Sequence, residues 1–130
     1  MQLDKSLLEK QISKATEYLD EKKNVKAEKY LNKIIKKDPG NDEAWLLLGI
    51  AKRRLGKQGE AIECFTSATE LNVSKEEAWG LLTITLVDQG NIVMAKKTIE
   101  KAGRLNPDNS RIQFLRHTLI ETYIKYGPFF

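Results

Sequence analysis

The chain has 130 residues, about the size of one domain, of which 41% are apolar and 31% charged. That apolar share can build a core and excludes a disordered chain, while three prolines and eight glycines exclude collagen-like and proline-rich structures. The net charge of +4 gathers in residues 1–39, where ten lysines interleave with seven acids and predict a solvated helical face, not a track for phosphates.

The amino terminus, Met-Gln-Leu-Asp-Lys, has neither a basic leader nor a continuous apolar stretch, so no secretory signal is expected. Apolar residues at helical spacing predict a first helix from about Asp4 to Lys22 and a second from about Asn24 to Lys37, with Pro39 where the chain must reverse. A third runs from about Asp42 to Leu55 and stops at Gly56; a fourth runs from about Gly59 to Leu71. The apolar run Ala44–Ala51 is eight residues long, short of the roughly twenty that cross a bilayer, so no membrane helix is expected. The fourth helix carries Cys64, the single cysteine, which cannot form an internal disulfide. Together with the missing leader it points to a reducing, cytoplasmic compartment. A fifth helix is predicted from about Lys75 to Gln89, opened by a Ser74–Glu77 capping box and closed by Gly90. The sixth, capped by Asn91, ends near Leu105 before Pro107. A last amphipathic segment, about Asp108 to Tyr126, puts Ile112, Leu115, Leu119 and Tyr123 on one face before a Gly127-Pro128 stop. No strand is needed.

Sliding the sequence against itself by 34 residues aligns Glu43-Ala44-Trp45 with Glu77-Ala78-Trp79, and brings Ala27, Ala61 and Ala95 into one column. Leu31, Phe65 and Ile99 form another, as do Ile34, Ala68 and Ala102. A fixed period of this length signals stacked repeats, here pairs of helices. The columns resemble the tetratricopeptide repeat, whose pattern is Trp, Leu-Gly, Tyr, Ala, Phe, Ala and Pro. The middle unit carries Trp45, Leu48-Gly49, Ala61, Phe65 and Ala68, with Lys52 where Tyr is usual and Val73 where Pro is usual. The third keeps Trp79, Leu82, Ala95, Ala102 and Pro107 but has Thr83, Leu86 and Ile99 in the Gly, Tyr and Phe columns. The first keeps Ala15, Tyr18, Ala27, Leu31 and Pro39, while Gln11 and Lys14 fill the Trp and Leu columns. The resemblance implies an all-α fold, a right-handed superhelical stack of antiparallel helix pairs with seven helices in one domain. Its repeats span about 8–41, 42–75 and 76–109, with a capping helix at about 110–126. Gly49 is expected to face Ala61 and let two helices approach, with Trp45, Leu48, Phe65 and Leu71 filling the space between layers. Helices this short are marginal alone, so stacking must supply the stability.

Catalytic chemistry has little to work with. His117 is the only histidine and has no partner at metal-ligand spacing, and Cys64 shares a helix face with Ala61, Phe65 and Ala68, so it reads as core. No phosphate-loop, zinc-protease or nucleophile-elbow motif occurs, and the glycine-rich Gly56-Lys57-Gln58-Gly59 joins two helices without a preceding strand. Neither an enzyme nor a cofactor or metal is expected.

What remains is surface. The resemblance implies a concave face, lined by the first helix of each pair, that binds peptide segments of other proteins. The stripe assigned to it comprises Ile12, Thr16 and Leu19; Leu46, Ile50 and Arg53; Gly80, Ile84 and Val87; and Phe114, Thr118 and Glu121. It reads as an apolar trough for a helical or extended segment of a partner protein, with Arg53 orienting an acidic group. A plainer alternative is that Leu46, Ile84 and Val87 only touch neighbouring layers. One subgroup of the family grips acidic carboxyl-terminal tails of chaperones with Lys, Asn and Arg. The corresponding positions here, Ile12, Thr16, Leu47, Ile50, Glu77 and Leu81, lack those groups and argue against such an adaptor. An RNA-binding helical repeat and a structural subunit of a larger assembly are the alternatives; the few cations in the stripe disfavour nucleic acid. Phe129 and Phe130 leave open a homodimer made through the carboxyl-terminal tail.

Overall fold

Three chain reversals repeat one backbone geometry at the 34-residue period. Lys22, Gly56 and Gly90 all adopt left-handed conformations, with φ of 60°, 79° and 80°. Around each, two amide hydrogen bonds close the preceding helix: Lys23 to Tyr18 and Lys22 to Leu19, Lys57 to Lys52 and Gly56 to Arg53, Asn91 to Leu86 and Gly90 to Val87. This is the paired bonding that satisfies orphan carbonyls at a helix end. Glycine adopts the conformation without penalty; a lysine places its Cβ against the following carbonyl. Lys22→Gly is therefore expected to stabilise the protein by about 0.5–1 kcal/mol, read as a raised thermal midpoint.

The structure, a computed structural model, describes residues 5–124. Between the reversals run α1 (Lys5–Asp20), α2 (Asn24–Lys37), α3 (Asp42–Arg54), α4 (Gln58–Leu71), α5 (Glu76–Asp88), α6 (Ile92–Leu105) and α7 (Ser110–Leu119), followed by a π-helical turn, Ile120–Ile124. There is no strand among the described residues, so the expected all-α helical-repeat fold is what forms. No helix among them is long and apolar enough to cross a membrane. The expected single capping helix is shorter than its sequence pattern suggested: α7 ends at Leu119 and the chain continues with wider turns. The Gly127-Pro128 stop, Phe129 and Phe130 lie outside the described residues.

The chain forms two compact units, Met1–Leu71 and Asn72–Phe130. In the first, α1 to α4 close over Ala15, Leu19, Ala27, Leu31, Ala44, Leu48, Ala51 and Cys64. The nearest neighbour of Gly49 is Phe65. A methyl group there would lie 2.5 Å from the Phe65 ring, so the missing side chain is the socket for that aromatic, which is itself 0% exposed. Leu71, expected between layers, is 47% exposed at the end of α4. In the second unit α5, α6 and α7 contact one another, with Ala78, Leu82, Leu86, Ile99, Ala102 and Ile112 buried.

Helix starts follow the sequence except at α5. The side chains of Asn41, Asn91 and Asn109 accept from the backbone N–H groups of Ala44, Met94 and Ile112. At α5 the N-cap is Lys75, with no side-chain cap, and the Ser74–Glu77 box does not form. Asn72 Oδ1 accepts from both the amide and the hydroxyl of Ser74, at 3.2 and 2.9 Å, so a local turn has claimed the hydroxyl that the box required.

The tryptophan column turns out to be a hydrogen-bonding device as well as a packing one. The Trp45 indole N–H donates to the Pro39 carbonyl at 2.8 Å and that of Trp79 to the Val73 carbonyl at 2.7 Å, each tying a helix to the loop before it. One period later Gln113 does the same work with an amide, its Nε2 donating to the carbonyls of Gly103 and Asn106 at 2.9 and 3.0 Å. α7 thus begins as a fourth repeat would.

Candidate functional site

In the second unit, α5 and α7 leave an apolar groove of about 790 Å³ between them. Gly80 sets its depth, because a methyl there would come 3.3 Å from Leu115 Cδ2. Leu81, Ile84 and Leu115 are half-buried in its walls, and Phe114 stands over it, 72% exposed. The hydroxyls of Thr83 and Thr85, both fully buried, donate back to the carbonyls of Trp79 and Leu81 within α5, so neither seeks a partner from outside. Polar groups sit at the mouth. Arg111 of α7 donates to Glu76 of α5 at 3.2 Å, an exposed pair that sets the helix edges together without adding much stability. Glu77 is exposed beside them.

The sequence stripe is only partly realised. Gly80, Ile84 and Phe114 do converge on this groove. Val87 and Thr118 are partly exposed on the same two helices but do not line it. In the first unit Ile12 lines a smaller groove of about 500 Å³ with Leu8, Asp38, Asn41 and Glu43, while Thr16 is exposed and its hydroxyl donates to the Ile12 carbonyl at 3.0 Å. Ile50 is half-buried against the core of that unit, and Arg53 is half-buried on the same helix. Leu19 and Leu46 require correction. At 4% and 1% exposed they are core residues and offer nothing to a ligand. α3 is packed by α1, α2 and α4, which buries six of its 13 residues and leaves little of its surface free. Of the face expected to hold Ile112, Leu115 and Leu119, Ile112 and Leu119 are buried and Leu115 is a half-buried groove wall.

Sequence reasoning missed a buried ionic cluster behind α3. Glu28 of α2 is 9% exposed and accepts from Lys52 at 2.8 Å and Lys57 at 2.9 Å, and Lys52 also reaches Glu60 at 3.1 Å. The signal was present: a lysine in the column where the repeat usually has tyrosine needs an anion if it is to be enclosed. Hydrogen bonds from Lys52 and Lys57 hold the Glu28 carboxyl below its usual range. Burial works against the charge on Lys52, yet its bonds to Glu28 and Glu60 outweigh it and hold the ammonium above its usual value. Burial also pushes the Cys64 thiol up to about 11, so it stays protonated at neutral pH. His117 is exposed. Among the described residues no group of three or more His, Cys, Asp and Glu could hold a metal ion.

The sequence pattern of the family described as Psidin, N-terminal TPR repeats region, matches residues 9–129. Cilia- and flagella-associated protein 70 of Homo sapiens is 31% identical over 105 residues, which is 81% of this chain and 9% of that protein; its counterpart in Macaca fascicularis is equally similar. The chain therefore spans about a tenth of the length of these relatives. Among solved structures, the Yersinia enterocolitica type III secretion chaperone SycD in complex with a peptide of the translocator YopD superposes with a TM-score of 0.81 at 17% identity, covering 96% of this chain and 95% of SycD. The first TPR of Spaghetti (RPAP3), bound to the HSP90 peptide SRMEEVD, gives a TM-score of 0.74 at 22% identity, covering 92% and 94%.

Proposed function

Because the chain belongs to the family of Psidin N-terminal TPR repeats, we propose that it is a non-catalytic protein-interaction module whose α5/α7 groove seats an apolar segment of a partner protein. One observation carries this reading: Phe114 is 72% exposed at the edge of a groove lined by Gly80, Leu81, Ile84 and Leu115, where a large aromatic surface meets water. The walls are set by helix packing, so a docking segment meets a preorganised surface and loses little entropy beyond its own. The mouth carries Lys75 and Arg111 against Glu76 and Glu77, with Glu76 paired to Arg111, so its charges balance and selection rests on the apolar lining; an apolar helix or strand fits. The Cys64 thiol, held protonated by burial, is a poor nucleophile, and His117 is exposed. In the smaller first-unit groove Leu8 and Ile12 are the apolar members of a lining that is otherwise polar or charged.

Selecting peptides from a display library of amphipathic sequences against the whole chain tests the proposal. Peptides with large apolar anchors are expected, and Ile84→Asp with Phe114→Asp should weaken them about ten- to a hundredfold, the worth of one buried apolar side chain, with helical circular dichroism unchanged. Peptides that bind the double variant as tightly as the wild type would remove the groove from the reading.

A further inference from the structure

α7 has a second flank. Its Arg111, Phe114 and Leu115 turn towards α5, while Gln113 and Arg116 turn towards α6 and bound a separate cleft of about 940 Å³. This cleft is cationic. Lys97, Lys101 and Arg104 follow one face of α6 at spacings of four and three residues, Arg116 faces them from α7, and among the described residues Glu100 is the single acid lining it. Residues three and four apart on a helix lie side by side, so the three α6 cations form a continuous row about 10 Å long. Among the described residues none of the four cations forms an ion pair. Unlike Glu28 and its lysines, they leave their charge unspent.

Two details show how the cleft is built. Gly103 lies beneath Arg116: a methyl group there would meet Arg116 Cδ at 2.7 Å, so the absent side chain lets the arginine lie down across α6 instead of standing out in water. Gln113 spends its amide N–H groups on the carbonyls of Gly103 and Asn106, which fixes α7 against α6. Among the described residues the charged groups lining the cleft are therefore four cationic donors and one carboxylate, with a guanidinium backed by helix instead of by solvent.

We propose that the α6/α7 cleft is a second docking site, taking an acidic segment of a protein partner whose Asp or Glu carboxylates engage Lys97, Lys101, Arg104 and Arg116. The charge pattern requires an acceptor-rich ligand, and the row's spacing matches carboxylates placed every second residue of an extended chain or every third or fourth of a helix. Among the described residues no aromatic side chain lines the cleft to stack on bases, which favours a protein segment over a single-stranded nucleic acid. The site is independent of the α5/α7 groove: it shares no lining residue with it and selects opposite chemistry.

A fluorescein-labelled hexaglutamate peptide, titrated with the full chain and read by anisotropy, tests this directly. Binding is expected to weaken about tenfold or more in Lys101→Glu with Arg104→Glu, to fall steeply between low and physiological salt, and to be unaffected by the uncharged pair Ile84→Ser with Phe114→Ser. All the substituted lysine and arginine side chains are exposed, and Lys101→Gln with Arg104→Gln serves as a milder pair that removes the attraction without adding repulsion. Absence of peptide binding, or equal binding by both charge variants, overturns the proposal. A hexauridylate that binds more tightly than the peptide and is lost in the same variants also overturns it, in favour of RNA.

Discussion

Phe65→Ala is expected to cost about 3–5 kcal/mol, enough to bring the first unit close to unfolding under ordinary conditions. The ring is 0% exposed and fills the space that Gly49 leaves open on α3, so its removal deletes a large buried surface and creates a void that neighbouring helices cannot collapse into. Gly49→Ala attacks the same contact from the other side. Its added methyl would sit 2.5 Å from the ring, and because the ring is enclosed it has no free direction to yield, giving an overpacking cost of about 1–3 kcal/mol. Gly49→Ala combined with Phe65→Leu should cost less than the sum of the two single changes, since leucine surrenders the edge that the methyl needs. Chemical denaturation of the four proteins gives the coupling; strict additivity would show that the two side chains do not meet.

The Glu28 cluster predicts a pH dependence of definite sign. The carboxyl is held below its usual 4.5 by hydrogen bonds from Lys52 and Lys57, so it contributes stability above that value, and the contribution is lost as the pH falls through the folded-state value. Lys52, held above its usual 10.5, behaves in the opposite sense: its contribution is full below that value and is lost as the pH rises through its folded-state value. Glu28→Gln should therefore destabilise by about 1–3 kcal/mol at neutral pH and flatten the acid limb of the stability profile. Lys52→Met should flatten the alkaline limb. Replacing both, Glu28→Leu with Lys52→Leu, should be milder than either single change, because no buried charge is left alone. Denaturant midpoints measured from pH 3 to 11 decide the matter, and parallel profiles for wild type and Glu28→Gln would place the carboxylate outside the stability balance.

Much of the fold is legible because a 34-residue period constrains many residues at once: the alanine column Ala27, Ala61 and Ala95 is 0% exposed throughout, and α2 begins and ends at the predicted residues. The site is less legible because position on a helix and coverage of a face are different quantities. Leu46 and Ile84 sit four residues apart in register, 38 in sequence; α3 is covered on several sides and buries Leu46, while the α5/α7 groove leaves Ile84 partly open. Departures from the repeat pattern proved as informative as matches. Lys52 announced an enclosed anion, and Gln113 in the tryptophan column keeps the hydrogen bond while giving up the ring. The Ser74–Glu77 box failed because Asn72, two residues upstream, competes for the same hydroxyl, a contest that a capping pattern read alone does not include.

Trp45 and Trp79 divide one to each unit, the first half-exposed and the second 4% exposed, and each indole is anchored to a carbonyl of its own loop. The molecule thereby carries two native fluorophores in unlike surroundings. Emission from a variant with Trp45→Phe reports the carboxyl-terminal half alone and emission from Trp79→Phe the amino-terminal half, so acrylamide quenching can follow the melting of either half with no dye attached.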